Sequence, residues 1–157
     1  MPDFPPFPNL SSDELLTISF SAGTDFTVLA HYCDQFAETL IECDDPALRM
    51  ALCGRINACL TLLQPTLLDP IPPHLIERFT VDTLPDTFPR FEPGPGLLCE
   101  YCLTLTQILA GRALLPQMMK TLSGLLCELV WYFVAEMTAP RWMRTADGVK
   151  PIEEVNK

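Results

Sequence analysis

The chain predicts an all-α fold: a four-helix core made of two helical hairpins, a Pro-rich crossover and a short C-terminal hairpin or extension. Three observations carry this reading. First, the two halves resemble each other. Tyr32-Cys33 is followed by Pro46 and Gly54, and Tyr101-Cys102 by Pro116 and Gly124, with equal Pro-to-Gly spacing. Each half is long enough for two helices meeting at the proline, so an internal repeat of helical hairpins is expected. Second, apolar side chains recur at helical spacing in both halves. Third, the 64–95 segment between them holds eight prolines, which rule out a continuous helix there.

The elements follow in order. Residues 1–10 contain four prolines and read as an extended arm, with Phe4, Phe7 and Leu10 as anchors. Ser11-Ser12-Asp13-Glu14 starts a short helix over 12–20. Thr24 is the expected cap of a helix from Asp25 to about Cys43, with Phe26, Leu29, Cys33, Phe36, Ala37 and Leu40 on its apolar stripe. Asp44 or Asp45 caps the next helix, which opens at Pro46, where a missing N–H costs nothing. Its stripe is Leu48, Leu52, Ile56, Cys59, Leu60 and Leu63. Gly54 inside a helix costs about 1 kcal/mol relative to Ala, so a close helix crossing is expected there and at Gly124.

In the crossover, His74 to Thr80 reads as a helical turn or two, with Ile76, Phe79, Leu84, Phe88 and Phe91 as anchors. A third helix is expected over 96–113, with Leu98, Tyr101, Leu105, Ile108 and Leu109 inward. A fourth runs from Pro116 to about Thr138, with Met119, Leu122, Leu126, Leu129 and Phe133 inward. Trp131, Tyr132 and Phe133 are consecutive and span about 200° of a helix, so at least one ring must meet the crossover, the tail or another chain. Beyond Pro140, Asp147-Gly148 is a turn signal between Trp142–Thr145 and 149–152. The domain reading is residues 1–138 as a bundle with arm and crossover, and 139–157 as an extension.

Composition narrows the function. The chain has 157 residues, 48% of them apolar, a mean hydropathy of +0.21 and a formal charge of −10. So much apolar content beside so much charge points to apolar surface beyond one core, covered by a partner or a second subunit. Ten basic residues against twenty acidic ones argue against nucleic acid. The start is acidic and Pro-rich rather than a signal peptide. The stretch from Leu122 to Ala135 contains Glu128 and is too short to span a bilayer, so no membrane is expected. Seven cysteines without an export signal read as reduced thiols of a cytoplasmic protein.

No catalytic constellation emerges. Cys99-Glu-Tyr-Cys102 is a single CxxC, and a zinc site needs a second pair or histidines, so these thiols read first as small buried side chains and otherwise as a metal-binding start. His31 and His74 lack a metal motif. Asp34, Glu38, Glu42, Asp44 and Asp45 form an acidic strip, a solvated face or a dock for a basic partner. Trp131, Tyr132, Arg141, Trp142 and Arg144 are the residue types of binding hot spots and form the candidate partner site, although Trp142 could also cover the end of the bundle.

The run 131–148, with Trp131-Tyr132-Phe133 and Pro140-Arg141-Trp142, resembles small uncharacterised cytosolic proteins of enterobacterial prophage and phage-satellite islands. The resemblance implies mobile-element biology and carries over no functional residue. The expected function is a non-enzymatic protein-binding module, a regulator or inhibitor of a host protein, without cofactor. The alternatives are a structural homodimer or a small-molecule or metal binder using the bundle core.

Overall fold

The computed structural model describes residues 8–86, 88 and 90–155; Phe4, Phe7, Pro89 and Lys157 lie outside them. The chain is mostly helical, with one two-stranded antiparallel sheet at its C-terminal end. It divides into two compact units, Met1–Pro85 and Asp86–Lys157, and the boundary falls inside the Pro-rich crossover.

The first unit is built on α1 (Ser12–Thr17), α2 (Phe26–Ile41) and α3 (Pro46–Leu63). Ser11 and Glu14 close a capping box on α1, each side chain satisfying an amide the helix leaves free. Asp45 caps α3 by accepting from the Ala47 amide at 3.0 Å, with Pro46 at the first position. The expected Thr24 cap is not formed: its hydroxyl accepts from the Ser21 amide, and Asp25 holds the N-cap position of α2 without a side-chain bond to the helix. Asp25 instead meets His74 Nε2 at 3.0 Å. This contact ties the crossover to the start of α2.

The helices α2 and α3 pack as an antiparallel hairpin with α1 laid across them. Their core is Leu15, Leu29, Phe36, Cys43, Leu52 and Cys59, and Leu10 of the arm packs against it. Phe20, Tyr32 and Phe36 form a ring cluster with centroids 6.1–6.4 Å apart. Ala37 and Leu60, expected inward, are exposed. Each lies at the edge of its stripe, and a three-helix unit does not reach around that far.

The crossover forms short 3₁₀ turns at Gln64–Thr66, Pro73–Leu75 and Glu77–Phe79. Leu75 is its buried anchor, a residue the sequence reading passed over. Ile76, Phe79, Leu84, Phe88 and Phe91 are more than half exposed, although Phe79 stacks on Phe26 at 5.8 Å. A segment so rich in proline makes few backbone bonds and follows the surface, so its side chains find cover only where a helix lies beneath.

The second unit holds α4 (Pro95–Ala110), α5 (Pro116–Thr138), β1 (Trp142–Thr145), β2 (Gly148–Pro151) and α6 (Ile152–Val155). The helices α4 and α5 pair as a second hairpin. The strands pair in register, Trp142 opposite Pro151 and Arg144 opposite Val149. Ala146-Asp147 forms the two-residue loop, and Gly148 begins β2 at φ +114°, a conformation that favours glycine. The hairpin is thus a strand pair, and Pro151 is tolerated because β2 has no neighbour on its other side.

Burial in this unit is sparse. Leu98 and Leu129 are buried, with Leu105, Leu109, Leu122, Leu126 and Phe133 half-buried beside them. Tyr101, Ile108 and Met119, expected inward, are exposed. A helix pair has a single seam, and α4 and α5 are apolar around most of their circumference, so much of that surface stays outside it. Nor do the glycines mark close crossings: the space a Cβ would occupy at Gly54 or Gly124 is open to at least 4 Å.

Candidate functional site

The structure sets the five candidate partner residues on two neighbouring stretches of the second unit. Trp131 and Tyr132 lie in the last third of α5, and Arg141, Trp142 and Arg144 at and beyond its end. The consecutive rings divide as helical geometry requires. Phe133 is half-buried, Tyr132 sits half-buried with its ring 6.5 Å from Phe91 of the crossover, and Trp131 points away, 68% exposed. Burial raises the Tyr132 phenol above its ordinary range, helped by Glu136 and Glu92. It therefore stays protonated, a neutral donor at the rim.

On the hairpin, alternation places Trp142 and Arg144 on one face of β1, with Pro151 and Val149 opposite them on the same face. Trp142 is 62% exposed and Val149 is exposed, so the tail does not fold back to bury the indole. Arg141 reaches the Met137 carbonyl at 3.4 Å, fastening the tail to the last turn of α5. Arg144 is exposed and engages no carboxylate among the described residues. An indole, an unpaired guanidinium and an apolar neighbour on one strand face can bind a surface that offers a carboxylate beside an apolar pocket.

The rest of α5 extends this surface. Val130, Val134 and Met137 are exposed as well, and Val134, three residues on from Trp131, shares its side of the helix. The helix is 23 residues long with a mean hydropathy of 1.3 over its most apolar window, long and apolar enough to cross a membrane by length and composition. The shorter stretch from Leu122 to Ala135 therefore understated its length. Lys120, Glu128 and Glu136 interrupt it.

Cys99 and Cys102 are half-buried on α4, and among the described residues no three His, Cys, Asp or Glu side chains gather as a metal site would need. A thiol pair that the sequence reading did not single out is Cys33 of α2 against Cys59 of α3. Burial pushes the Cys59 thiol up to about 12, with Cys33 beside it adding to the effect, and burial raises Cys33 as well. Such thiols are poor nucleophiles at neutral pH.

Two polar residues of the first unit also escaped the sequence reading. Arg55 of α3 lies under the ring cluster, its guanidinium carbon 4.4 Å from the Phe20 centroid and 5.4 Å from that of Phe36, and it donates to the Ile18 carbonyl. Gln35 of α2 is buried, with its amide nitrogen on the Pro8 carbonyl at 2.9 Å. Arg55 stands three residues after Leu52 and four before Cys59, a spacing that put it on the buried stripe and could have found it.

Comparison of the chain with models of protein families, with curated proteins and with solved structures finds no match.

Proposed function

We propose that this protein is a non-enzymatic protein-binding module acting in the cytoplasm, a regulator or inhibitor of a host protein in a mobile-element setting. It docks through the aromatic and basic end of its second unit, Trp131, Tyr132, Arg141, Trp142 and Arg144. The observation that carries this reading is the exposure of both tryptophans on one helix end and the strand pair beyond it. An indole held in water forgoes about 1.5–3 kcal/mol of burial, so two exposed together favour an interface. The partner is a protein surface with an apolar pocket beside acidic groups.

The expected four-helix core and the internal repeat belong to this proposal. Pro46 and Pro116 opening the second helix of each hairpin support the repeat, while Tyr32 is half-buried and its counterpart Tyr101 exposed. A second reading, self-association, is favoured by the apolar circumference of α5. It requires a mass of twice 17.6 kDa, and a monomer that persists at high concentration excludes it. Under the partner reading, Trp142→Ala with Arg144→Ala abolishes pull-down of the bound protein and leaves helicity at 222 nm unchanged. Undiminished binding removes the tail from the site.

A further inference from the structure

We infer that a cleft in the first unit, separate from the aromatic end, is a receptor for a lysine or arginine side chain carried on an apolar segment of a protein. The cleft has a volume of about 670 Å³ and lies between the arm at Asn9 and Leu10, α1, and the C-terminal half of α2. Four features point to a cation with an apolar stem.

Glu38 and Glu42 are one helical turn apart on its wall, and neither has an ion-pair partner among the described residues. Arg49 of α3 donates to the Cys43 carbonyl at 2.7 Å instead. The cleft also lies at the C-terminal end of α2, whose last turn has no basic residue to meet its free carbonyls and its negative pole. Leu10, Leu15, Cys43 and Leu48 supply an apolar floor for a side-chain stem.

The fourth feature is independent of the carboxylates. Gln35 lines the cleft at 5% exposure, and its Oε1 has no hydrogen-bond partner among the described residues. The amide cannot turn to relieve this. Its nitrogen is held by the Pro8 carbonyl at 2.9 Å, which only accepts, so the oxygen is left as an acceptor without a donor. A buried acceptor in that state costs about 1–3 kcal/mol, which a donor entering beside it recovers. Asn9, whose Oδ1 accepts from the Gln35 Nε2 at a long 3.5 Å, lines the cleft beside the same amide.

Charge distribution suits the same ligand. The Met1–Pro85 unit carries twelve acidic residues against three basic ones, whereas the other carries eight against seven. The field that steers a basic segment is therefore concentrated on the unit that holds the cleft.

The test uses the full-length protein and a fluorescein-labelled hexapeptide, Leu-Arg-Leu-Leu-Arg-Leu, with binding read by anisotropy. The expected result is saturable binding that the citrulline analogue lacks and that Glu38→Gln with Glu42→Gln weakens about tenfold, roughly the worth of two exposed ion pairs. Asp69→Asn with Asp82→Asn, which removes the same charge elsewhere on the unit, leaves it unchanged. Equal weakening by both pairs overturns the proposal, because net charge alone then explains binding. So does failure to bind, or displacement of the peptide by spermidine at equal concentration, which would make the cleft a small-amine site. Gln35→Leu, judged at unchanged helicity, lowers affinity for the arginine peptide; unaltered affinity removes the amide from the site.

Discussion

Replacing Arg55 by methionine keeps the aliphatic stem and removes the charge, the planar fork and the donor. The guanidinium lies over Phe20 at 4.4 Å, within the range where a cation on an aromatic face contributes about 0.5–2 kcal/mol. Its bond to the Ile18 carbonyl, at the C-cap of α1, contributes about 1.5–3 kcal/mol for a charged donor. Against these stands the buried Arg55 Nε, which has no partner among the described residues and whose removal returns about 1 kcal/mol. The net loss is about 1–4 kcal/mol, confined to the first unit. Because the chain has two compact units, one unfolding midpoint would blend them, and hydrogen exchange by mass spectrometry is the better assay. Peptides covering α1 and α2 should exchange about 5- to 700-fold faster in Arg55→Met, while those from α5 keep the wild-type rate. Exchange in α1 within about threefold of wild type would refute the assignment of Arg55 as the fastener of that helix.

Other expectations concern glycine and cysteine. Gly54→Ala and Gly124→Ala should each stabilise their helix by about 1 kcal/mol, since no atom stands in the way of the methyl group; a loss of stability in denaturant titration would contradict this. Gly148→Ala, at φ +114°, should instead loosen the strand pair, seen as movement of the Trp142–Pro151 amide shifts toward random-coil values. With its thiol raised from 9.0 to about 12, Cys59 keeps its proton in the folded protein after the unfolded chain has lost it. Its contribution is therefore complete below about pH 9 and falls as pH rises toward 12. Urea midpoints across that range should decline more steeply for wild type than for Cys59→Ala, and equal slopes would count against burial of the thiol.

Much of the fold was legible where local chemistry decides it. Pro46 and Pro116 open helices, Asp45 caps one, and Trp142 to Thr145 forms a strand because each is set by near neighbours. What the sequence could not reveal was which side of an apolar helix is covered. In α4, Ile108 competes with Leu98 and Leu105 for one seam, and hydropathy does not separate them. Thr24 was the expected cap, but Asp25 holds that position, because Thr24 turns to the Ser21 amide and Asp25 meets His74, forty-nine residues away. The partner residues were picked by type, and the structure added the exposure of Trp131, Arg141, Trp142 and Arg144 and the shared strand face of Trp142 and Arg144. Gln35 stayed hidden because its role depends on the Pro8 carbonyl, a contact across twenty-seven positions.

The most direct test of the interface is site-specific photo-crosslinking in the producing cell. A benzophenone side chain is placed in turn at Trp131, at Trp142 and, as a control, at the exposed Thr61 of α3. The proposed function predicts one and the same protein adduct from positions 131 and 142 and none from 61. Adducts only at twice 17.6 kDa, or an equal spread of adducts from all three positions, would contradict it.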